Sequence, residues 1–406
     1  MFDRKVWPAL ILASLGYFVD IYDLILFSIV RVPSLKELGL SGDALMNDGL
    51  LLLNLQMSGM LVGGIFFGIL GDKKGRLSVL FLSILMYSLA NIANGFVTSV
   101  TGYAILRFIA GIGLAGELGA GITLVSEILP KEKRGYGTTI IATVGVSGAL
   151  LAWFVADLLS WRSAYFVGGG MGLALLFLRI GVLESTLFDK IKTHGTVAKG
   201  NFFQIFQNKK RFKKFVACIA MGAPLWYVIG LLITLSPEFA IPLEVQGEIA
   251  AGKSVFYSYA GLILGDLASG LISQFFKSRK KSVLLFLVMT TISCGLFFFL
   301  RGLTVDQFYG LCFIMGISVG YWAMFVTISA EQFGTNLRAT VATSTPNFVR
   351  ASVVPISFAF NSFKNDFHMS MLTSGLTVGI IIMGIAVWGL INIQETFHQN
   401  LDFVEE

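Results

Sequence analysis

RFIAGIGLAGELGAGITLVSEILPKEKR, running from Arg107 to Arg134, is the stretch whose reading decides the fold, because Arg107 and Glu117 lie inside a long apolar run that closes on a basic loop. A charge in hydrocarbon is costly and persists only with a partner or a task. Glycines at 111, 113, 116, 119 and 121 strip one side of this helix of side chains, so another backbone can lie very close to it. The stretch is expected to be a helix packed inside a membrane bundle.

Working outward, the composition agrees. Of 406 residues, 55% are hydrophobic, only 13% are charged and 45 are glycine, which is far from the balance of a soluble domain. Apolar runs of about twenty residues cross roughly 30 Å of hydrocarbon. They begin near Val6, Gly49, Leu77, Thr101, Gly137, Ser163, Phe215, Val255, Ser282, Phe308, Ala339 and Met369, which makes twelve spans. Lysine and arginine collect on one side: Arg4, Lys5, the turn with Lys73, Lys74 and Arg76, then Lys131, Lys133 and Arg134, the run from Lys190 to Lys214, Lys277 to Lys281, and Arg338. That side is expected to be the cytoplasm, with both termini there. Arg31, Lys36, Arg162, Lys253, Arg301 and Lys364 read as scattered cations of the opposite loops. The net charge of +6 follows from this asymmetry, so no nucleic-acid partner is inferred from it.

The first span carries Asp20 and Asp23 and lacks a small-residue cleavage site, so it reads as a retained span and not as a signal peptide. Cys218, Cys294 and Cys312 lie in apolar spans without paired spacing, and His194, His368 and His398 have no second ligand at metal spacing. No metal and no cofactor are expected. The longest polar interruption, Glu184 to Lys214, divides the chain into a six-helix half over 1–184, a cytoplasmic linker over 185–212, a second six-helix half over 213–393 and a tail over 394–406. Within the linker, Phe202, Phe203 and Phe206 beside Lys209, Lys210 and Arg211 suit either an amphipathic helix on an anionic leaflet or a solvated connection. An internal repeat supports the division, since Glu127 with Arg134 after span four is echoed by Glu331 with Arg338 after span ten. Two like halves around a central site are what an alternating-access carrier needs.

Gly68-Ile-Leu-Gly-Asp72-Lys-Lys-Gly75-Arg76 resembles the signature between spans two and three of the major facilitator superfamily, and Arg107 with Gly111 and Gly113 resembles its second signature. The resemblance implies an all-α integral membrane protein, twelve transmembrane helices in two six-helix pseudo-symmetric halves. It also implies a cytoplasmic latch that includes Asp72, held in a turn that needs Gly71 and Gly75 for tight reversal beside Arg76. With the repeated pairs Glu127, Arg134, Glu331 and Arg338, these make the candidate gating set. Phe18-Val-Asp20-Ile-Tyr-Asp23 resembles the paired acids of phosphate, aromatic-acid and sialate proton symporters, and Ala-Gly-Glu117-Leu-Gly resembles span four of sialate and metabolite symporters. A proton-coupled symporter of a small organic anion is the implied activity.

Depth along each helix, at about 1.5 Å per residue, suggests which charges can meet. Asp23, roughly 26 Å above the start of span one, and Arg107, roughly 9 Å below the outer start of span four, come to nearly the same level. Asp23, Asp20, Arg107 and Glu117 are the candidate proton-coupling residues. Glu117, roughly 24 Å from the outer start of its span, is expected to be unpaired and neutral near physiological pH. Arg350 and Asp266 are each roughly 16 Å into their spans. Two readings compete for them: a mutual structural pair, or an Arg350 that receives a substrate carboxylate or phosphate bidentately. Trp226, Tyr227, Tyr321 and Trp322, in spans seven and ten, join them as candidate substrate contacts, against the commoner fate of packing. Pro224, Pro346 and Pro355 are candidate bending points.

The reading is therefore a secondary transporter of an anionic small molecule, driven by protons, working as a monomer in the bilayer of a bacterial inner membrane. A proton-driven exporter of amphipathic compounds and a non-transporting nutrient sensor are the alternatives. An enzyme is not expected, since no nucleophile, metal cluster or phosphate-cradling loop is visible.

Overall fold

In hydrocarbon every backbone N–H and C=O must bond within its own segment, so long apolar runs become long helices. The computed structural model describes residues 7–74, 76–117, 134–183 and 202–397. Within them the helices fall into twelve spans. Spans one to four are Trp7–Glu37, Gly42–Lys74, Arg76–Asn94 and Val100–Leu114. Span five is Arg134–Val146 with Gly148–Leu158, and span six is Trp161–Leu183. Span seven is Lys209–Trp226, a π-helical stretch Tyr227–Ile233 and Ser236–Ala240; eight is Ala251–Phe276 and nine is Arg279–Phe299. Span ten is Val305–Ser318 with Trp322–Glu331, eleven is Thr335–Ala351 with Val353–Asn361 and a second π-helical turn Ser362–Asp366, and twelve is Met371–Asn392. Among the described residues eight helices are long and apolar enough to cross a membrane, and Ser78–Asn94 and Val100–Leu114 are shorter apolar helices. The one isolated β-bridge among them joins Gln246 to Thr304.

Small residues set the closest contacts. A methyl group on Gly59 would collide with the Phe108 carbonyl oxygen, and one on Gly111 with that of Gln56, so spans two and four meet backbone to backbone. The second half repeats the device at matching positions: Gly261 faces the Phe313 carbonyl and Gly316 that of Ser258, which joins spans eight and ten. Helices in lipid gain their cohesion from such close approach, because lipid tails are as apolar as leucine. The pseudo-symmetry is thus visible in the packing.

The two halves meet on both sides of the centre. Toward the end of the bundle away from the termini, Arg31 of span one binds Glu238 of span seven through Nη1 at 2.7 Å and Nη2 at 2.8 Å, and Thr234 donates to Ser28 at 3.2 Å. Lys364 reaches Asp43 at 2.8 Å. The placement of Arg31 among the loop cations is corrected here, since it is fully buried. Toward the terminal end, the Asn347 amide donates to the Ala115 carbonyl at 3.0 Å. There the described part of the linker, the single turn Gln204–Gln207, is preceded by Phe202, which with Ile205 is buried against Phe215, Phe333 and Leu337, and Ile65 of span two packs on the same cluster.

One comparison within span ten tests this packing. Gly310 faces open space and Gly316 faces backbone, so Gly310→Ala is expected to be neutral or to stabilise by up to about 1 kcal/mol through helix propensity. Gly316→Ala is expected to destabilise by about 1–3 kcal/mol through overpacking. Thermal unfolding of the two purified variants in one detergent reads the difference, and equal melting temperatures would contradict the backbone contact.

Candidate substrate site

Helix interruptions converge at the centre. Val146 is the last residue before the break in span five, Trp226 the last before the π-helical stretch of span seven, Trp322 the first after the break in span ten, and Arg350 stands next to the end of the first helix of span eleven. These four residues line one cavity with Tyr17, Ile21 and Leu24 of span one, Leu225, and Tyr259 and Leu262 of span eight. Its volume is about 20 Å³, room for one water and not for a substrate. A helix that stops in mid-membrane leaves backbone groups and polar side chains that can serve a site. Pro224 and Pro346 lie inside helices close to two of these interruptions.

Arg350 is 1% exposed. Its nearest acid is Asp20 of the other half, with Nη2 to Oδ2 at 3.6 Å, and its Nη1 reaches Asn347 Oδ1 at 3.5 Å. Neither Nε nor Nη2 has a hydrogen-bond partner, and both Asp20 oxygens are likewise unbonded. The guanidinium carbon stands 5.7 Å from the Trp322 ring. Of the two readings left open for Arg350 and Asp266, the mutual structural pair is the one the structure does not show. Asp266 binds the backbone amide of Ala323 at 2.9 Å, since equal depth fixes the level of two residues and not the faces they present.

Asp23 and Arg107 come near one another without forming an ion pair. Arg107 donates to Asn91 Oδ1 at 2.7 Å and lies 4.8 Å from the centre of the Tyr165 ring, while both Asp23 oxygens are buried without a hydrogen-bond partner. The expectation of an unpaired Glu117 is also corrected. Arg179 of span six grips both its oxygens, one through Nη1 at 3.1 Å and the other through Nη2, and also donates to the Leu12 carbonyl at 3.3 Å. Gly16 makes room for this pair, because a side chain there would overlap Glu117 and Arg179. Arg179 was legible, being a charge within an apolar run like Arg107.

Of the four candidate aromatics, Trp226 and Trp322 line the cavity. Tyr227 turns to the Gly375 carbonyl at 2.7 Å and Tyr321 to the Met221 carbonyl at 2.9 Å, so both are packing residues held by one hydrogen bond. Tyr17 and Tyr259 were missed. The signal for them was helical spacing: Tyr17, Ile21 and Leu24 share one face of span one, as Tyr259 and Leu262 share one of span eight.

In the candidate gating set, Glu331 binds Arg279 at 3.4 Å and accepts Thr396 Oγ1 at 2.6 Å, and Arg338 donates to the Phe333 carbonyl at 3.3 Å. Beside them Glu395 accepts the Arg279 and Lys280 amides at 2.9 and 3.1 Å. Burial pushes the Glu395 carboxyl up, but the Ser278 hydroxyl and the surrounding amides hold it below its ordinary value. Gly71 falls within helical backbone, the side chains of Asp72, Arg76 and Arg134 lie outside the described set, and Gly75 and Glu127 lie outside the described residues.

A family model described as the Major Facilitator Superfamily matches residues 13–351. The chain is 30% identical over 368 residues to a putative metabolite transport protein of Haemophilus influenzae, covering 85% of this chain and 86% of that one. It is 25% identical over 357 residues to a putative niacin/nicotinamide transporter of Bacillus subtilis, covering 83% and 84%. It is 26% identical over 399 residues to the cis,cis-muconate transport protein of Acinetobacter baylyi, covering 93% and 91%. Among solved structures, a proton:xylose symporter superposes with a TM-score of 0.71 at 15% identity over 99% of this chain and 98% of that one. That last likeness is one of fold.

The buried pair between Glu117 and Arg179, 1% and 7% exposed, yields a stability prediction. Glu117→Ala leaves a guanidinium unpaired and is expected to cost about 3–5 kcal/mol, whereas the double exchange Glu117→Leu with Arg179→Met is expected to recover most of it. Unfolding in detergent measures both. A double variant as unstable as the single one would mean that the pair does more than neutralise itself.

Proposed function

Because the chain belongs to the Major Facilitator Superfamily, we propose that it takes up a small organic anion together with a proton, its two halves rocking about the central cavity. The observation that carries this reading is Arg350, a buried guanidinium lining the cavity with two nitrogens that have no hydrogen-bond partner. Its acid neighbour stands at 3.6 Å. An arriving carboxylate satisfies two parallel N–H donors at once. It fills an unmet need without breaking a good bond, and unmet buried donors are what cost most.

Asp20 is the proton partner in this scheme. When substrate takes over Arg350, Asp20 loses its counter-charge in a buried setting and takes up a proton, which ties one anion to one proton. Asp23, three residues on and beside Arg107 and Asn91, is the second station. Trp226, Trp322, Tyr17 and Tyr259 supply ring-shaped walls, which suit an anion with a flat apolar body. Relatives named for niacin/nicotinamide and for cis,cis-muconate are in keeping with that chemistry. The cavity of about 20 Å³ admits no such molecule until the halves part. The bias of lysine and arginine supports termini on the cytoplasmic side of a bacterial inner membrane, and the polar stretch after span six supports a linker over 185–212.

Two variants test the scheme with benzoate, nicotinate and cis,cis-muconate as probes. Arg350→Lys keeps the charge but loses the planar fork, so affinity is expected to fall at least about tenfold, ~1.4 kcal/mol, with thermal stability near wild type. Wild-type affinity there would overturn the anion site. In proteoliposomes, Asp20→Asn is expected to retain exchange of substrate and to lose accumulation driven by a pH gradient; accumulation at the wild-type rate would remove Asp20 from coupling.

A further inference from the structure

Span ten stops at Ser318, and the helix that restarts at Trp322 has no side-chain cap from its own first residues. Its opening amides are orphans in a setting where no solvent replaces lost backbone bonds. One of them, the Ala323 N–H, is taken by Asp266 Oδ1 of span eight at 2.9 Å. The reach is possible because Gly265, the residue before Asp266, lies against Gly320, and a side chain on either would overlap backbone of the other span. Asp266 itself is buried. Among the described residues no cation stands within ion-pair distance of it; its carboxylate accepts the Ala323 N–H, and the neighbouring Trp322 backbone amide also faces it.

The residue that opens the capped helix is Trp322. Its indole N–H donates to the Tyr17 hydroxyl of span one at 3.0 Å, its ring stands 5.7 Å from the Arg350 guanidinium, and it lines the cavity. The carboxylate fixes where the helix begins, the first residue of that helix places the ring, and the ring borders both the arginine and the opposite half.

We propose that Asp266 is a positioning residue for the anion site, holding Trp322 in place through the Ala323 amide, and that it does so as a hydrogen-bond acceptor whose charge is dispensable. The proposal rests on the carrier reading only where a substrate is used as the probe. An asparagine keeps an acceptor oxygen at the same position and caps helices as well as aspartate does, whereas alanine leaves the amide orphaned.

The test therefore compares Asp266→Asn with Asp266→Ala by two measurements on the full chain. Hydrogen exchange of the peptide covering Trp322–Glu331 is expected to rise in Asp266→Ala and to stay at the wild-type level in Asp266→Asn. Benzoate affinity is expected to fall about tenfold in the alanine variant and to stay within about threefold of wild type in the asparagine variant, which also keeps accumulation driven by a pH gradient. Unchanged exchange in Asp266→Ala overturns the cap. An Asp266→Asn variant as impaired as Asp266→Ala overturns the claim that charge is dispensable. If the wild-type protein fails to bind benzoate, the choice of an aromatic anion in the carrier reading is what falls, and the exchange measurement still decides on Asp266.

Discussion

An arginine cannot shed its charge to enter a bilayer, and burying one is the constraint around which this bundle is arranged. Arg31, Arg107, Arg179 and Arg350 are all buried, and they are held unequally. Arg179 donates to both oxygens of a glutamate, the geometry in which a guanidinium is best compensated, and Arg31 donates to one oxygen of Glu238 with Nη1 at 2.7 Å from the other. Arg107 has one short bond to Asn91 and an aromatic face beside it. Arg350 has an acid at 3.6 Å and an amide at 3.5 Å, and it is the one of the four that lines the cavity. Two nitrogens of Arg107 and two of Arg31 also lack a hydrogen-bond partner, so what sets Arg350 apart is that its loose compensation falls where the proposed ligand would complete it.

How much of this was legible follows from what each sequence signal measures. Apolar run length reports the presence of a span, and all twelve were readable because a membrane allows few alternatives to a full-length helix. Depth along a helix reports level only. Asp266 and Arg350 share a level, yet the acid that faces Arg350 is Asp20 in the other half, because the facing residue is set by the rotation of each helix and by how the halves dock. The same gap hid the bond from Arg179 to Glu117, although both residues were visible as charges in apolar runs. Arg31 was misplaced for a different reason. It lies near the end of its span, where a cation is ordinarily free to reach the interface, and only the fold brings Glu238 to meet it.

The break in span ten was not legible from hydropathy. Residues 305–331 are apolar between their polar ends and count as a single span, but the chain leaves helical geometry between Ser318 and Trp322. The trace of it lies in the contact of Gly320 with Gly265: the near approach of spans eight and ten places a carboxylate where it can take over an amide that an unbroken helix would have bonded internally. A break of this kind needs an outside acceptor, and Asp266 is that acceptor. Read in reverse, an isolated acid in one span and a glycine-flanked aromatic pair in another are a joint signature that neither shows alone.

The seams of the bundle differ in kind, and that difference bears on motion. Within each half, spans two with four and eight with ten touch through backbone, at glycines where even a methyl group would collide. Such contacts are stiff, since nothing can shift without opening a void, and packed protein does not deform by degrees. Between the halves the polar contacts run through side chains: hydrogen bonds or close ion pairs from Arg31 to Glu238, Lys364 to Asp43, Thr234 to Ser28 and Trp322 to Tyr17, and a looser ion pair of Arg350 with Asp20. Each of these can be exchanged for water or for a ligand at modest net cost, because the groups involved are ones that water also satisfies. Two stiff bodies joined by replaceable polar bonds can rock as units. The contact at the centre is the ion pair of Arg350 with Asp20, at 3.6 Å and without a hydrogen bond, so in the proposed scheme an anion on the arginine would weaken the seam where the two bodies meet, and binding and motion would share one interaction.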